Sequence, residues 1–215
     1  MNKEIIILAK SVKHGEYCIA GIDTYTGKWV RPISLNTAKE GSVSPNDITY
    51  INGSQVQIFD KVQIKFLSHK PTKSQPENYI YDSSVKWIKN GESSLDEVLS
   101  IRGYDLVDLI FYNYDKEVDE DGINGQPSLI LVNVKKPHIF LKTFSDGNKR
   151  VQLNFEFNNH EYNYFKVSDE IILKKYETKQ DGSYNIGENL SVVFSLTDRF
   201  DKTGKYYKMV ATAFC

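Results

Sequence analysis

Seven residues carry most of the binding chemistry that the sequence offers. Lys10, Ser11, Lys13 and His14 crowd together just before Gly15, and Trp29 and Arg31 follow beyond the Gly27 turn. Lysine supplies a point charge and arginine a bidentate fork, while a glycine-broken loop exposes backbone amides. The group therefore suits a phosphate or another anion. Trp29, with Tyr17, Tyr25, Tyr206 and Tyr207, adds rings of the kind on which bases stack. The seventh residue is Asp198, a carboxylate that follows a later apolar run. Each has a plainer alternative. Cations at a strand end keep a protein soluble, Arg31 can pair with Asp23, and Trp29 can fill a core. Tyr206 and Tyr207, adjacent on a strand, point opposite ways, and Met209 and Ala211 continue the face of Tyr207, which makes Tyr207 the expected buried one.

No set of residues reads as a catalytic centre. His14 and Cys18 are four apart, which is more than about 12 Å along an extended strand unless Gly15 bends it, so Cys18 reads as a small buried side chain. Asp23 and Asp198 both sit at strand ends and suit turn capping. Asp119, Asp121 and Gly122 lack the third ligand and the closing glutamate of a calcium loop, and His138 and His160 have no partner at metal spacing. No catalytic residue, metal or cofactor is expected.

The elements that must position these residues are strands. The 215 residues hold 14 Tyr and 11 Phe against two Met, a balance that fits pleated, half-buried surfaces. Lys and Arg number 27 against 28 Asp and Glu, a net charge of −1, so an anionic ligand would need a local cationic surface. Strands are expected at 4–9, 17–22, around Trp29, and at 60–68, where Val62, Ile64 and Phe66 alternate with polar residues. Residues 35–56 and 69–79 read as connections. Ser93-Ser94-Leu95-Asp96-Glu97 opens a short helix capped by Ser93 or Ser94, and 105–113 reads as a second helical turn or a strand, with helix favoured. In the second half, 129–134, 138–143, 150–157, 190–196 and 205–214 read as strands, Asp146-Gly147-Asn148 as a hairpin turn, and 171–176 fits either type. The acidic, glycine-rich stretch 119–127 marks the expected boundary. Many short strands separated by turn signals make an all-β barrel or sandwich. The apolar run Ile5–Ala9 is too short for a signal peptide or a membrane span, and two separate cysteines make no disulfide framework. A cytoplasmic protein is the expectation.

The order K-S-x-K-x-G-x-x-C-x-A-G-I-D followed by W-x-R-P resembles the start of the dual OB-containing domain family. Q-P-E-N at 75–78, S-L-T-D-R-F at 195–200 and Y-Y-K-M-V-A at 206–211 are similar to further patches of it. The resemblance implies two OB-like small barrels with a few short helices, at about residues 1–118 and 119–215. It also implies a setting in bacterial or phage defence, beside partner effectors. The function expected is a ligand-binding module for nucleic acid or a nucleotide-derived ligand, held by Lys10, Ser11, Lys13, His14, Trp29, Arg31 and Asp198. Two alternatives stay open: an enzyme acting on a phosphorylated or nucleotide substrate, and a protein-interaction domain.

Overall fold

A computed structural model describes residues 1–13, 15–35 and 41–214, with Lys13 described in its backbone alone. Half of the chain is strand and 9% helix. The chain divides into two compact units, 1–103 with 125–127 and 104–124 with 128–214. Residues 104–118, expected in the first barrel, thus pack with the second.

In the first unit β1 (Asn2–Lys13), β2 (Glu16–Asp23), β3 (Trp29–Ile33), β4 (Asp60–His69) and β5 (Asn78–Tyr81) close a five-strand barrel. Their order is β1-β2-β3-β5-β4 and back to β1, with β3 and β5 parallel and β6 (Ile88–Glu92) paired outside β4. β1 reaches around the barrel because its first residues pair with β4 and its later ones with β2. At Gly21 a Cβ would lie 2.1 Å from the Ile6 carbonyl oxygen, so only glycine lets the two strands approach there. Ile5, Ile7, Ile19, Val30, Val62, Ile64 and Phe66 form the core as their alternation requires. The connection before β4 carries no strand among its described residues, yet Val43, Ile48, Tyr50 and Val56 come from it into that core. Helix α1 (Leu95–Arg102) begins at Ser94, whose hydroxyl accepts the Glu97 amide at 3.2 Å.

The second barrel repeats the circuit with β8 (Leu129–Thr143), β9 (Lys149–Phe157), β10 (His160–Val167), β12 (Asn189–Leu196) and β13 (Tyr206–Phe214). Their order is β10-β9-β8-β12-β13, closed by a parallel contact between β10 and β13. β7 (Glu117–Val118) pairs with β13, and β11 (Gly182–Asn185) pairs with β8. Helix α2 (Glu170–Tyr176) precedes β12, and the Asp169 carboxylate accepts the amides of Ile171 and Ile172.

Three local expectations are corrected. The segment 105–113 is not helical: Asp105 is tied to Leu131 through both its amide and its carboxylate, and the Asn158 side chain takes the carbonyls of Val107 and Asp108 that a helix would use internally. The strands expected at 129–134 and 138–143 are one strand, β8. It is continuous through Pro137 because Lys136 takes a left-handed bulge (φ +47°) and the partners change there from β12 to β9.

The third correction concerns β13, where Tyr206 is buried and Tyr207 half-buried. The inward phase is Tyr206, Lys208 and Val210, all buried, and Tyr206 pairs with Val118 of β7. Lys208 is 2% exposed, and its Nζ donates to the Asn113 carbonyl at 2.5 Å and to Asn113 Oδ1 at 2.7 Å. Burial pushes its pKa down to about 7, against the opposing pull of Asp115. The unfolded chain titrates this lysine near pH ~10.4. Between the two values the unfolded state binds more protons, so Lys208 makes stability rise with pH. Denaturation midpoints should therefore climb more steeply from about pH 7 to about pH 9 in the wild type than in Lys208→Met, and parallel profiles would refute the assignment.

Candidate functional site

The seven residues named from the sequence belong to both units of the chain. Asp198 lies in the β12–β13 loop of the second unit and the others in the first. Lys10 and Ser11 sit on β1 opposite Ile19 and Cys18, with the Lys10 ammonium 5.0 Å from the Tyr17 ring centre. Lys13 pairs with Glu16 through the backbone, while the Lys13 side chain and His14 lie outside the described residues. Trp29 pairs with Ile22, three residues or about 10 Å along β2 from the row of Lys10.

Trp29 is 6% exposed, and the Arg102 guanidinium sits 4.8 Å from its ring centre. Arg102 is held there by donating to the Gly27 carbonyl at 3.2 Å. Arg31 Nε lies 3.3 Å from Glu77 Oε1, and both side chains are largely buried. Asp23 pairs with Lys3 at 2.7 Å and caps the turn through the amides of Tyr25 and Thr26. Burial raises the Asp23 pKa, but the Lys3 bond and the two amides outweigh it and leave the carboxyl below its usual range. The W-x-R-P and Q-P-E-N patches meet here, because Arg31 lies opposite Asn78 in the parallel β3–β5 contact. Ala20, Ile22 and Trp29, which alternate with the core residues Ile19 and Val30, are themselves buried. The second and third strands of this barrel therefore present no exposed ring: Trp29 is buried, and Tyr17 is half-buried against the core with the Lys10 ammonium over it.

The corresponding strands of the second barrel do. On β9 the core takes Val151, Leu153 and Phe155, which turns Arg150, Gln152 and Asn154 outward. Gln152 lies between Phe140 of β8 and Lys166 of β10, and Arg150 lies opposite Lys142. β10 sends both Tyr162 and Phe165 into the core, so its register shifts between them and Tyr164 faces out, 44% exposed. Tyr164 contacts Phe140 edge-on, with ring centres 5.1 Å apart at 71°, and the Lys116 ammonium is 5.8 Å from the Tyr164 ring centre. Further along, Arg150 covers the half-exposed Phe144 at 4.3 Å. Lys116, Lys142, Arg150 and Lys166 are all exposed. At the other end Glu156 and Glu161 face each other, with Lys136 paired to Glu156 at 2.7 Å.

Sequence reasoning missed this strip of cations and rings. The alternation in RVQLNFEF carried half of the signal, since it sets Arg150 and Gln152 on the outer face. The other half depends on the β10 bulge, which alternation alone does not show. Among the described residues no group of three His, Cys, Asp or Glu is placed to hold a metal, and no helix is long and apolar enough to cross a membrane.

Two closed five-strand barrels, each with its third strand parallel to its fifth, define an OB-type architecture. The chain belongs to the Dual OB-containing domain (DuOB) family, which matches residues 3–213. A search of the curated proteins finds no match. A murine DNA-binding protein solved with double-stranded DNA aligns over 100% of this chain and 96% of its own, at 12% identity and a TM-score of 0.34, a likeness too low to support an argument.

The geometry gives Trp29 a structural role. Trp29→Ala should lower the unfolding free energy by about 3–5 kcal/mol, as for other buried large-to-small changes. Chemical denaturation measures it, and a variant as stable as wild type would return Trp29 to the list of ligand contacts.

Proposed function

We propose that the protein is a nucleic-acid-binding module whose ligand lies on the outer face of β9 and β10. The observation that carries this reading is the open strip in which Tyr164 and Phe140 stand among Lys116, Lys142, Arg150 and Lys166. In the first barrel Trp29 is buried and Tyr17 is half-buried against the core. Rings that accept bases and cations that accept phosphates are the two components of a nucleic-acid surface. A chain of net charge −1 supplies no general attraction, so these few cations would dominate the encounter.

Phosphate contacts by lysine and arginine release counterions, so affinity should fall with salt. Arg150→Ala and Lys166→Ala should each weaken binding of a labelled oligonucleotide and flatten the slope of log K against log salt by about 0.7 to 1. Lys10→Ala, in the first barrel, should leave both unchanged. Fluorescence anisotropy across a salt series reads all three. Loss in Lys10→Ala with none in Arg150→Ala or Lys166→Ala would move the ligand to the β1–β2 arm.

A further inference from the structure

We infer that the ligand of this face is a single strand with an unpaired base stacked on Tyr164, and that Asn154 and Gln152 are the positioning residues that hold the ring ready; this rests on the nucleic-acid reading above. Tyr164 has φ +63°, a left-handed conformation that a non-glycine residue adopts only when its surroundings impose it. Two side chains of β9 do so. The Tyr164 amide donates to Asn154 Oδ1 at 2.7 Å, and Gln152 Nε2 donates to the Tyr164 carbonyl at 2.9 Å. These bonds take the amide and the carbonyl of the bulged residue, whose ladder pairing with β9 is interrupted at that point.

The hold has a consequence for the ring. A tyrosine in a regular β10 would alternate with its neighbours, whereas here Tyr164 is turned out of phase and rests edge-on against Phe140. A ring fixed before the ligand arrives loses less freedom on binding than a mobile one. The Lys116 ammonium, 5.8 Å from the ring centre, is within reach of the phosphate of a nucleotide whose base lies on that ring. In a duplex both faces of each base are covered by neighbouring bases. Duplex phosphates can meet Lys142, Arg150 and Lys166, but Tyr164 can stack only on a base that is unpaired.

The test uses the whole chain and two probes, a fluorescein-labelled thymidine oligomer of about a dozen nucleotides and its adenine-paired duplex. The single strand should bind at least about fivefold tighter than the duplex. Tyr164→Ala should weaken single-strand binding by about fivefold or more, without changing the salt slope, because no phosphate contact is removed. Asn154→Ala should lose affinity in the same way, again at constant slope and with the duplex affinity unchanged. A residue that merely supported the fold would lower the denaturation midpoint and both affinities together. Should Asn154→Ala fail to fold, Gln152→Ala removes the other hold and takes its place. Duplex binding as tight as single-strand binding would overturn the unpaired-base inference. Loss in Tyr164→Ala with none in Asn154→Ala or Gln152→Ala would overturn the positioning role. Either result leaves the β9–β10 reading standing, and that reading falls only if Arg150→Ala and Lys166→Ala bind as the wild type does.

Discussion

A strand that must pair along both edges cannot choose its side-chain phase freely, and β10 is such a strand. It runs antiparallel to β9 on one side and parallel to β13 on the other, and the barrel stays closed only if both contacts hold. Tyr162 and Phe165 both enter the core, where they join Phe155 and Phe194 in a set of ring contacts 5.0–5.8 Å apart. Residues three apart share a face of a strand only if one extra residue is accommodated between them. That residue is part of a bulge, and the bulge turns Tyr164 outward. The aromatic packing inside the barrel and the aromatic ring outside it are thus one feature.

The first barrel meets the same topological demand differently. Its parallel contact runs from Arg31 to Ile33 against Asn78 to Ile80, and Arg31 turns to Glu77 beside it. Two largely buried charges in contact add little net stability, but removing either leaves the other stranded, so the pair specifies which segments meet. The guanidinium that reads from sequence as a ligand fork is occupied within the fold, and Trp29 is occupied by Arg102. In the second barrel the same two strands carry their polar residues to open surface. One architecture thus provides one closed and one open face, and residue chemistry alone does not reveal which is which.

The sequence made the strands legible wherever one face is buried and the other solvated. β4 and β9 alternate cleanly, and α1 begins at Ser94, one of the two serines that its capping pattern offers. The two-barrel architecture came from the motif patches, since no internal repeat reveals it. What stayed hidden depends on partners distant in sequence. Lys208 reads as an outward residue, and its hydrogen-bond partner inside the fold is Asn113, 95 residues earlier. The segment 105–113 has a helical composition, but Leu131 and Asn158 take its backbone groups. The candidate site was illegible for the same reason. Cations and rings are visible as types, whereas which of them pair inside the fold is fixed by contacts such as Arg31 with Glu77.

The segment from Asn113 into β7 is tied both to the buried Lys208 and to the exposed Tyr164. Lys208 holds Asn113 through Nζ and the Lys116 carbonyl through its own amide, and Lys205 pairs with Glu117. The backbone of Lys116 is therefore fixed from inside the barrel while its side chain lies over Tyr164 on the outside. Two residues earlier, Tyr114 packs against His160 at the start of β10, with ring centres 3.9 Å apart and planes inclined by 39°. The cation beside the exposed ring is thus set by a buried lysine whose ammonium donates to the two oxygens of Asn113. A charge that an isolated strand would leave to wander is placed by the same contacts that close the barrel.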